Sequence, residues 1–389
     1  MVALHQVLPV FAPRDAIGNH AVAVRRALHG MGVTSEIFAG EVNAGAGSGA
    51  RALHEVDHRR LGTAEPTVWM YHASTGSAVA EWWAALSGPK ALDYHNITPS
   101  ELLGPWEPHV GVELDHGRRQ LAELAELADW ALADSSFNAA ELRALGYRQT
   151  MVVPILCDTA HLADEVVDAD ALGRLRARKA DDGGADWLFV SRLLPHKAQH
   201  DLVKALAAYR MAYDPAARLT LAGATGSARY VEALADFIDD LDLVDAVELT
   251  GSISAGVLGA HFRVADVYVS ASDHEGFGVP LLEAMAHRVP IVAYASTAVP
   301  ETVGQGALLV DDKSPAVLAT AVHRVISDPS VVTSLVEGGR RRLAELGLAA
   351  STERLRRAVA HILREAGMTA GTVFDAAGSL PARRARART

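Results

Sequence analysis

The chain has 389 residues, half of them apolar and about a fifth charged, enough for two domains with sizeable cores, which excludes a disordered or fibrous chain. A net charge of −11 argues against nucleic acid as the main partner, and a single cysteine, Cys157, excludes an internal disulfide and fits a reducing cytoplasm. No apolar run reaches the roughly eighteen residues of a membrane span, and the first residues lack the basic flank of a signal peptide.

Short apolar runs alternate with helical patterns almost from end to end. Leu4 to Val10 reads as a strand, followed by the loop PRDAIGNH and a helix from about Asn19 to Gly30. Further strands are predicted at Ser35 to Ala39, Thr67 to Tyr71, Lys90 to Tyr94, Trp130 to Ala133 and Thr150 to Ile155, with a glycine-rich loop over Gly40 to Ala50. This alternation implies a parallel sheet covered on both faces. From Cys157 to Gly184 the pattern lapses into charged sequence, with room for a short helix at Ala171 to Lys179, and the domain boundary is placed there. Strands then resume at Trp187 to Val190, Arg218 to Ala222, Val247 to Thr250, Asp266 to Ser270, Pro290 to Tyr294 and Ala307 to Val310.

The expected layout is therefore α/β, with two doubly wound domains in series. Residues 1–156 form the first, 157–184 a linker and 185–345 the second. A C-terminal helix over 346–367 is capped by Ser351 or Thr352 and carries Leu355, Val359 and Ile362 on one stripe. Residues 368–389 read as a disordered tail holding four arginines. Arginines of this kind could meet an anionic membrane, although the acidic body speaks against it.

The chemistry concentrates in the second domain. LFVSRLLPHK puts Arg192 and Lys197 between a buried strand and a helix, where two cations suit a diphosphate. HEGFGVPLLE puts Glu275 and Glu283 on either side of a helix start, with Gly276, Phe277 and Gly278 offering backbone amides. Carboxylates accept hydrogen bonds from paired hydroxyls, so phosphate and sugar together suggest a nucleotide sugar. Each element alone reads equally as a solvated turn; their convergence on one sheet edge is what gives them meaning. In the first domain, Gly18 and Asn19 stand at the start of the first helix, without the Gly-x-Gly-x-x-Gly fingerprint of a dinucleotide site. His72 and His95 follow two neighbouring strands, and the remaining histidines are scattered without ligand spacing, so no metal site is expected.

SRLLPHK resembles the Arg-x4-Lys element, and EGFGVPLLE the Glu-x7-Glu element, of retaining glycosyltransferases of the GT-B fold, glycosyltransferase family 4. Ser191 and Ala198 depart from glycines that flank the family's cations, and Gly18-Asn19 departs from its paired glycines. The resemblance implies two Rossmann-like domains facing across a cleft. It implies a UDP- or GDP-linked hexose donor and a sugar, polysaccharide or lipid-linked acceptor, with no cofactor and no metal. Arg192 and Lys197 would hold the diphosphate, Glu275 the hexose, Glu283 the ribose, and Gly276, Phe277 and Gly278 the sugar and phosphate. Gly18 and Asn19 would face the donor phosphates, and His95 the transferred sugar. Substitution on the same face of the sugar is favoured, since no nucleophile stands out on the other. A GT-B epimerase, a phosphorylase and a silent sugar-nucleotide-binding protein are the alternatives that the motifs leave open.

Overall fold

The computed structural model describes residues 2–12, 15–43, 49–55, 66–158 and 167–368; the arginines of the tail and residues 44–48 of the glycine-rich loop lie outside them. The first sheet comprises β1 (Val2–Phe11), β2 (Val33–Thr34), β3 (Ile37–Val42), β4 (Arg51–Ala52), β5 (Thr67–Ala73), β6 (Lys90–Tyr94), β7 (Trp130–Ala133) and β8 (Thr150–Val152). Its order is β4-β3-β1-β5-β6-β7-β8, with β2 paired to β1, and every pairing is parallel. Strands flanked by helices on both faces must be apolar on both sides, and β1, β5, β6 and β7 are buried almost throughout.

The second sheet comprises β9 (Asp186–Val190), β10 (Arg218–Ala222), β11 (Val247–Gly251), β12 (Val267–Ser270), β13 (Ile291–Tyr294) and β14 (Ala307–Val310). Its order, β11-β10-β9-β12-β13-β14, is that of a doubly wound nucleotide-binding sheet. The molecule is thus two parallel α/β domains, the architecture that the strand-helix alternation predicts. The helix Ala169–Asp182 is longer than the short helix expected and packs Ala171 and Leu175 against Ala260 and Val264 of the second domain.

Two boundaries differ from the sequence reading for local reasons. The first helix runs Ala16–Gly30, because the Asp15 carboxylate accepts from the Gly18 amide and caps it three residues earlier. The last helix begins at Leu348, and Ser351, read as a cap, lies buried inside it with its hydroxyl donating to the Leu346 carbonyl. That helix, Leu348–Glu365, crosses back to the first domain. Leu355, Val359 and Ile362 share one core with Val24 and Leu28 of the first helix, each side chain worth about 1.5–3 kcal/mol when fully buried. Among the described residues no helix is long and apolar enough to cross a membrane.

Contacts also join the domains across the cleft. Trp106 packs against the second core and Leu194 lies in the first. Ser227 donates to the Glu107 carboxylate, and Arg229 donates to the Trp106 carbonyl at 3.1 Å.

Candidate functional site

In the second sheet β9 and β12 are neighbours at the point where strand order reverses. Connections leave this pair towards opposite faces, which opens a crevice at the carboxyl ends. Arg192 follows β9 by two residues, and the loop from Ala271 to Gly278 follows β12. Lys197, in the 3-10 turn Pro195–Lys197, brings its Nζ to 2.7 Å from Glu275 Oε1, with each side chain 16% exposed. At that depth either charge alone would be costly, and the pair neutralises both. Arg192 is exposed and forms no ion pair among the described residues.

Ala198, directly after Lys197, is fully buried at φ +51°, in the left-handed region. A glycine there would avoid a steric cost of roughly 1–2 kcal/mol, which explains the residue type the family prefers. Gly278 (φ +93°) opens the helix Val279–Ala286, with Pro280 in its first turn. Glu283 is half-buried on that helix near Cys157. Burial first, then the Glu283 and Asp158 carboxylates, pushes the Cys157 thiol up to about 12, so it is inert as a nucleophile near neutrality.

The loop after β12 is held at three successive residues, His274, Glu275 and Gly276. The Glu275 amide donates to Thr297 Oγ1 at 2.8 Å, and that hydroxyl lies 2.8 Å from the Glu275 carbonyl. His274 Nε2 donates to Asn96 Oδ1 of the first domain at 2.7 Å; burial, then Arg118 and Lys197, pulls its pKa down to about 4. Ser135 Oγ, also from the first domain, donates to the Gly276 carbonyl at 2.9 Å. A Cβ at Gly276 would stand 2.6 Å from Asn96 Cβ and 3.0 Å from the His95 carbonyl, so only glycine admits this approach. Beside it, Glu301 accepts from the Ser136 amide at 2.7 Å and from its hydroxyl at 3.0 Å. A cavity of about 310 Å³ opens next to this contact, between Asp134, Phe277, Glu301 and Arg342.

Across the cleft, Gly18 is buried with its amide already bound to Asp15, whereas Asn19 is exposed. His95 does not present its ring to the cleft. The ring is 2% exposed, with Nδ1 2.9 Å from Asp134 Oδ2 and Nε2 2.9 Å from His72 Nδ1. His72 Nε2 donates to Gln6 Oε1 at 3.0 Å. His20, read in the sequence as background, joins them with Nε2 3.0 Å from Asp93 Oδ2. The expectation of histidines without ligand spacing is thereby corrected: His20, His72, Asp93 and His95 bring one ligand atom each within 4.8 Å of one another. The tautomers nevertheless do not make a four-ligand cage. The Leu156 amide donates to His20 Nδ1 at 2.8 Å, so His20 turns an N–H inward.

Of the residues singled out in the sequence, the structure brings Lys197 and Glu275 into contact beside the glycine loop, with Arg192 on the neighbouring strand end. Sequence reasoning missed His20, Asp93, Asp134, Asn96, Ser135 and Glu301. A faint signal existed for two of them. Asp93 interrupts the buried run KALDY, and Asp134 ends the buried run WALAD, where a carboxylate needs a partner.

Comparison with known proteins agrees with this geometry. Residues 175–342 match the family Glycosyl transferases group 1. A D-inositol 3-phosphate glycosyltransferase of Kineococcus radiotolerans is 32% identical over 251 residues, 59% of this chain and 57% of that protein. A GDP-mannose-dependent alpha-(1-6)-phosphatidylinositol monomannoside mannosyltransferase of Mycobacterium tuberculosis is 34% identical over 182 residues, 44% and 46% of the two chains. The chain spans about half the length of the curated relatives it matches. Among solved structures, HepE of Anabaena in complex with UDP and glucose superposes with a TM-score of 0.72 at 17% identity, covering 92% of this chain and 99% of that one. Sucrose-phosphate synthase of Thermosynechococcus elongatus gives 0.70 at 18% identity, over 94% and 100%. Residues 175–342 of this chain thus match the glycosyl transferases group 1 family, and the two-domain architecture is the GT-B fold.

Proposed function

We propose that the protein is a retaining glycosyltransferase that moves a hexose from a UDP- or GDP-linked donor to an acceptor hydroxyl in the cytoplasm, without a metal at the diphosphate. The observation that carries the reading is the Lys197–Glu275 pair at the strand-order reversal of the second sheet. A cation and a carboxylate that neutralise one another there are replaced, on donor binding, by a diphosphate on Lys197 and sugar hydroxyls on Glu275. Arg192, exposed at the rim, adds a planar fork for the second phosphate. Glu283, about one helical turn inside, would meet the ribose, the role that the resemblance to the family implies.

In the transfer step the bond from the anomeric carbon to the diphosphate breaks first. Negative charge grows on the departing oxygen, and Arg192, Lys197 and the amides of Gly276 to Gly278 offset it. Positive charge grows on the sugar, beside the Glu275 carboxylate. The acceptor hydroxyl attacks the same face and gives its proton to the leaving phosphate oxygen, which keeps the anomeric configuration. Names of the relatives suggest acceptors built on inositol, free as its phosphate or lipid-linked. The test is incubation of UDP- and GDP-hexoses with inositol phosphate and phosphatidylinositol, reading the product's anomeric NMR signal in excess chelator. Transfer with retained configuration supports the reading. An inverted product, activity that returns only with added Mg²⁺ or Mn²⁺, or no transfer to any acceptor overturns it.

A further inference from the structure

The histidine cluster under the loop after β12 has a proton count that its hydrogen bonds determine. Gln6 fixes the first tautomer: its Nε2 donates to the Ala21 carbonyl at 3.1 Å and to Ser35 Oγ at 3.2 Å, so Oε1 faces His72. His72 Nε2 therefore carries hydrogen, and its Nδ1 is a lone pair aimed at His95 Nε2. For that 2.9 Å contact to be a hydrogen bond, His95 Nε2 must carry hydrogen. On the other side His95 Nδ1 meets the Asp134 carboxylate at 2.9 Å, which requires a second hydrogen.

We propose that His72, Asp93 and Asp134 are positioning residues that hold His95 as an imidazolium at the lip where the loop Glu275–Gly278 closes. This inference rests on the reading of that loop given above.

The charges around the ring agree. Asp134 approaches from the end of β7, Asp93 lies 3.9 Å from Nε2, His72 on β5 and His20 on the first helix close in the ring, and the carboxylate of Asp15 at the start of that helix adds a weaker negative field. The side chains of Asp134, Asp93, His72, His20 and His95 itself are at most 3% exposed. His20 donates to Asp93 and adds no charge, so one imidazolium faces two carboxylates. The cluster has acceptors to spare, since Asp93 Oδ1 and Asp134 Oδ1 are buried without a partner among the described residues. Burial pulls His95 down, but Asp134 and Asp93 outweigh it and hold the ring up at about 9. Burial pushes Asp134 upward as well, so the two groups share a proton tightly; Asp93, near the far nitrogen, places it on the ring.

The imidazolium ties the two strand ends that receive the loop. His95 follows β6 and its carbonyl meets Gly276; Asp134 follows β7 and precedes Ser135, which binds the Gly276 carbonyl. Loss of the proton would set two nitrogen lone pairs, on His72 and His95, face to face at 2.9 Å and part the strand ends. The loop would then close on a displaced surface, lowering kcat more than it raises donor KM.

Two measurements test this. Histidine ring ¹⁵N–¹H correlation spectra, with His95 assigned by difference against His95→Gln, are expected to show two protonated ring nitrogens at pH 7.5. One protonated and one bare nitrogen overturns the proposal whether or not the protein transfers sugar. The pH profile of kcat is expected to fall above about pH 9, and Asp134→Asn to move that limb down by a pH unit or more. His72→Asn, which keeps an acceptor where Nδ1 stands, is expected to retain the wild-type limb, whereas His72→Leu loses it. An alkaline limb that Asp134→Asn leaves in place also overturns it. Two protonated nitrogens in a protein without transfer activity would sink the functional reading and leave the imidazolium standing.

Discussion

At the scale of single residues, the Lys197–Glu275 pair gives the most direct test of the proposed donor site. Lys197→Ala leaves Glu275 buried without its cation, so about a hundredfold or greater loss of activity is expected together with a lower melting temperature. Arg192→Ala, at an exposed side chain, is expected to cut activity to a similar degree with an unchanged melting curve. Near-normal turnover in both variants would remove the diphosphate site. Glu275→Gln keeps the shape and an acceptor but discards the charge that faces the sugar cation. It is expected to lower kcat steeply with a modest change in donor KM, while Glu283→Gln mainly raises KM. Equal effects of the two substitutions on KM alone would refute this division of roles.

At the scale of elements, Gly276 marks the closest approach of the loop after β12 to the first domain. Gly276→Ala must push Asn96 or the His95 carbonyl away by several tenths of an ångström. The expectation is a large loss of kcat with both domains still folded, seen as an unchanged circular dichroism spectrum and a more open small-angle scattering profile. Wild-type kcat would show that the close approach is incidental. Elements of this kind were legible in the sequence to differing degrees. The strands of both sheets announce themselves as apolar runs, and EGFG with its flanking glutamates states its own chemistry. The surface that receives the loop did not show, because Asn96, Ser135 and Glu301 are ordinary polar residues until folding sets them opposite one another. His20 was equally hidden, being one histidine of seventeen, distinguished only by the helix face that turns it towards Asp93. The helix start at Ala16 was misjudged because Asp15 is the cap, and the start at Leu348 because Ser351, which the sequence favours as a cap, is buried inside the helix.

At the scale of the whole molecule, stability should depend on pH from both sides. His95 is held above its ordinary 6.5, at about 9, so its contribution is complete below pH 6.5 and fades as pH rises through 9. Burial works against the Asp93 carboxylate, yet His95 and His20 keep it below its ordinary range. Its contribution is present above that range and fades only in strong acid. Melting temperatures should therefore form a plateau from about pH 5 to 7 and drop towards pH 9. His95→Gln should flatten the alkaline drop; an unaltered drop would assign it to other groups.

The return of the last helix to the first domain also sets an order of events during synthesis. Val24 and Leu28 leave the ribosome early, while Leu355, Val359 and Ile362, which complete their core, follow only after the whole second domain has been made. At common elongation rates the delay after the first domain's own last strand is made is roughly 10–40 s. Throughout it the nascent first domain carries an open apolar groove, so the half of the protein that is born first is the last to be finished.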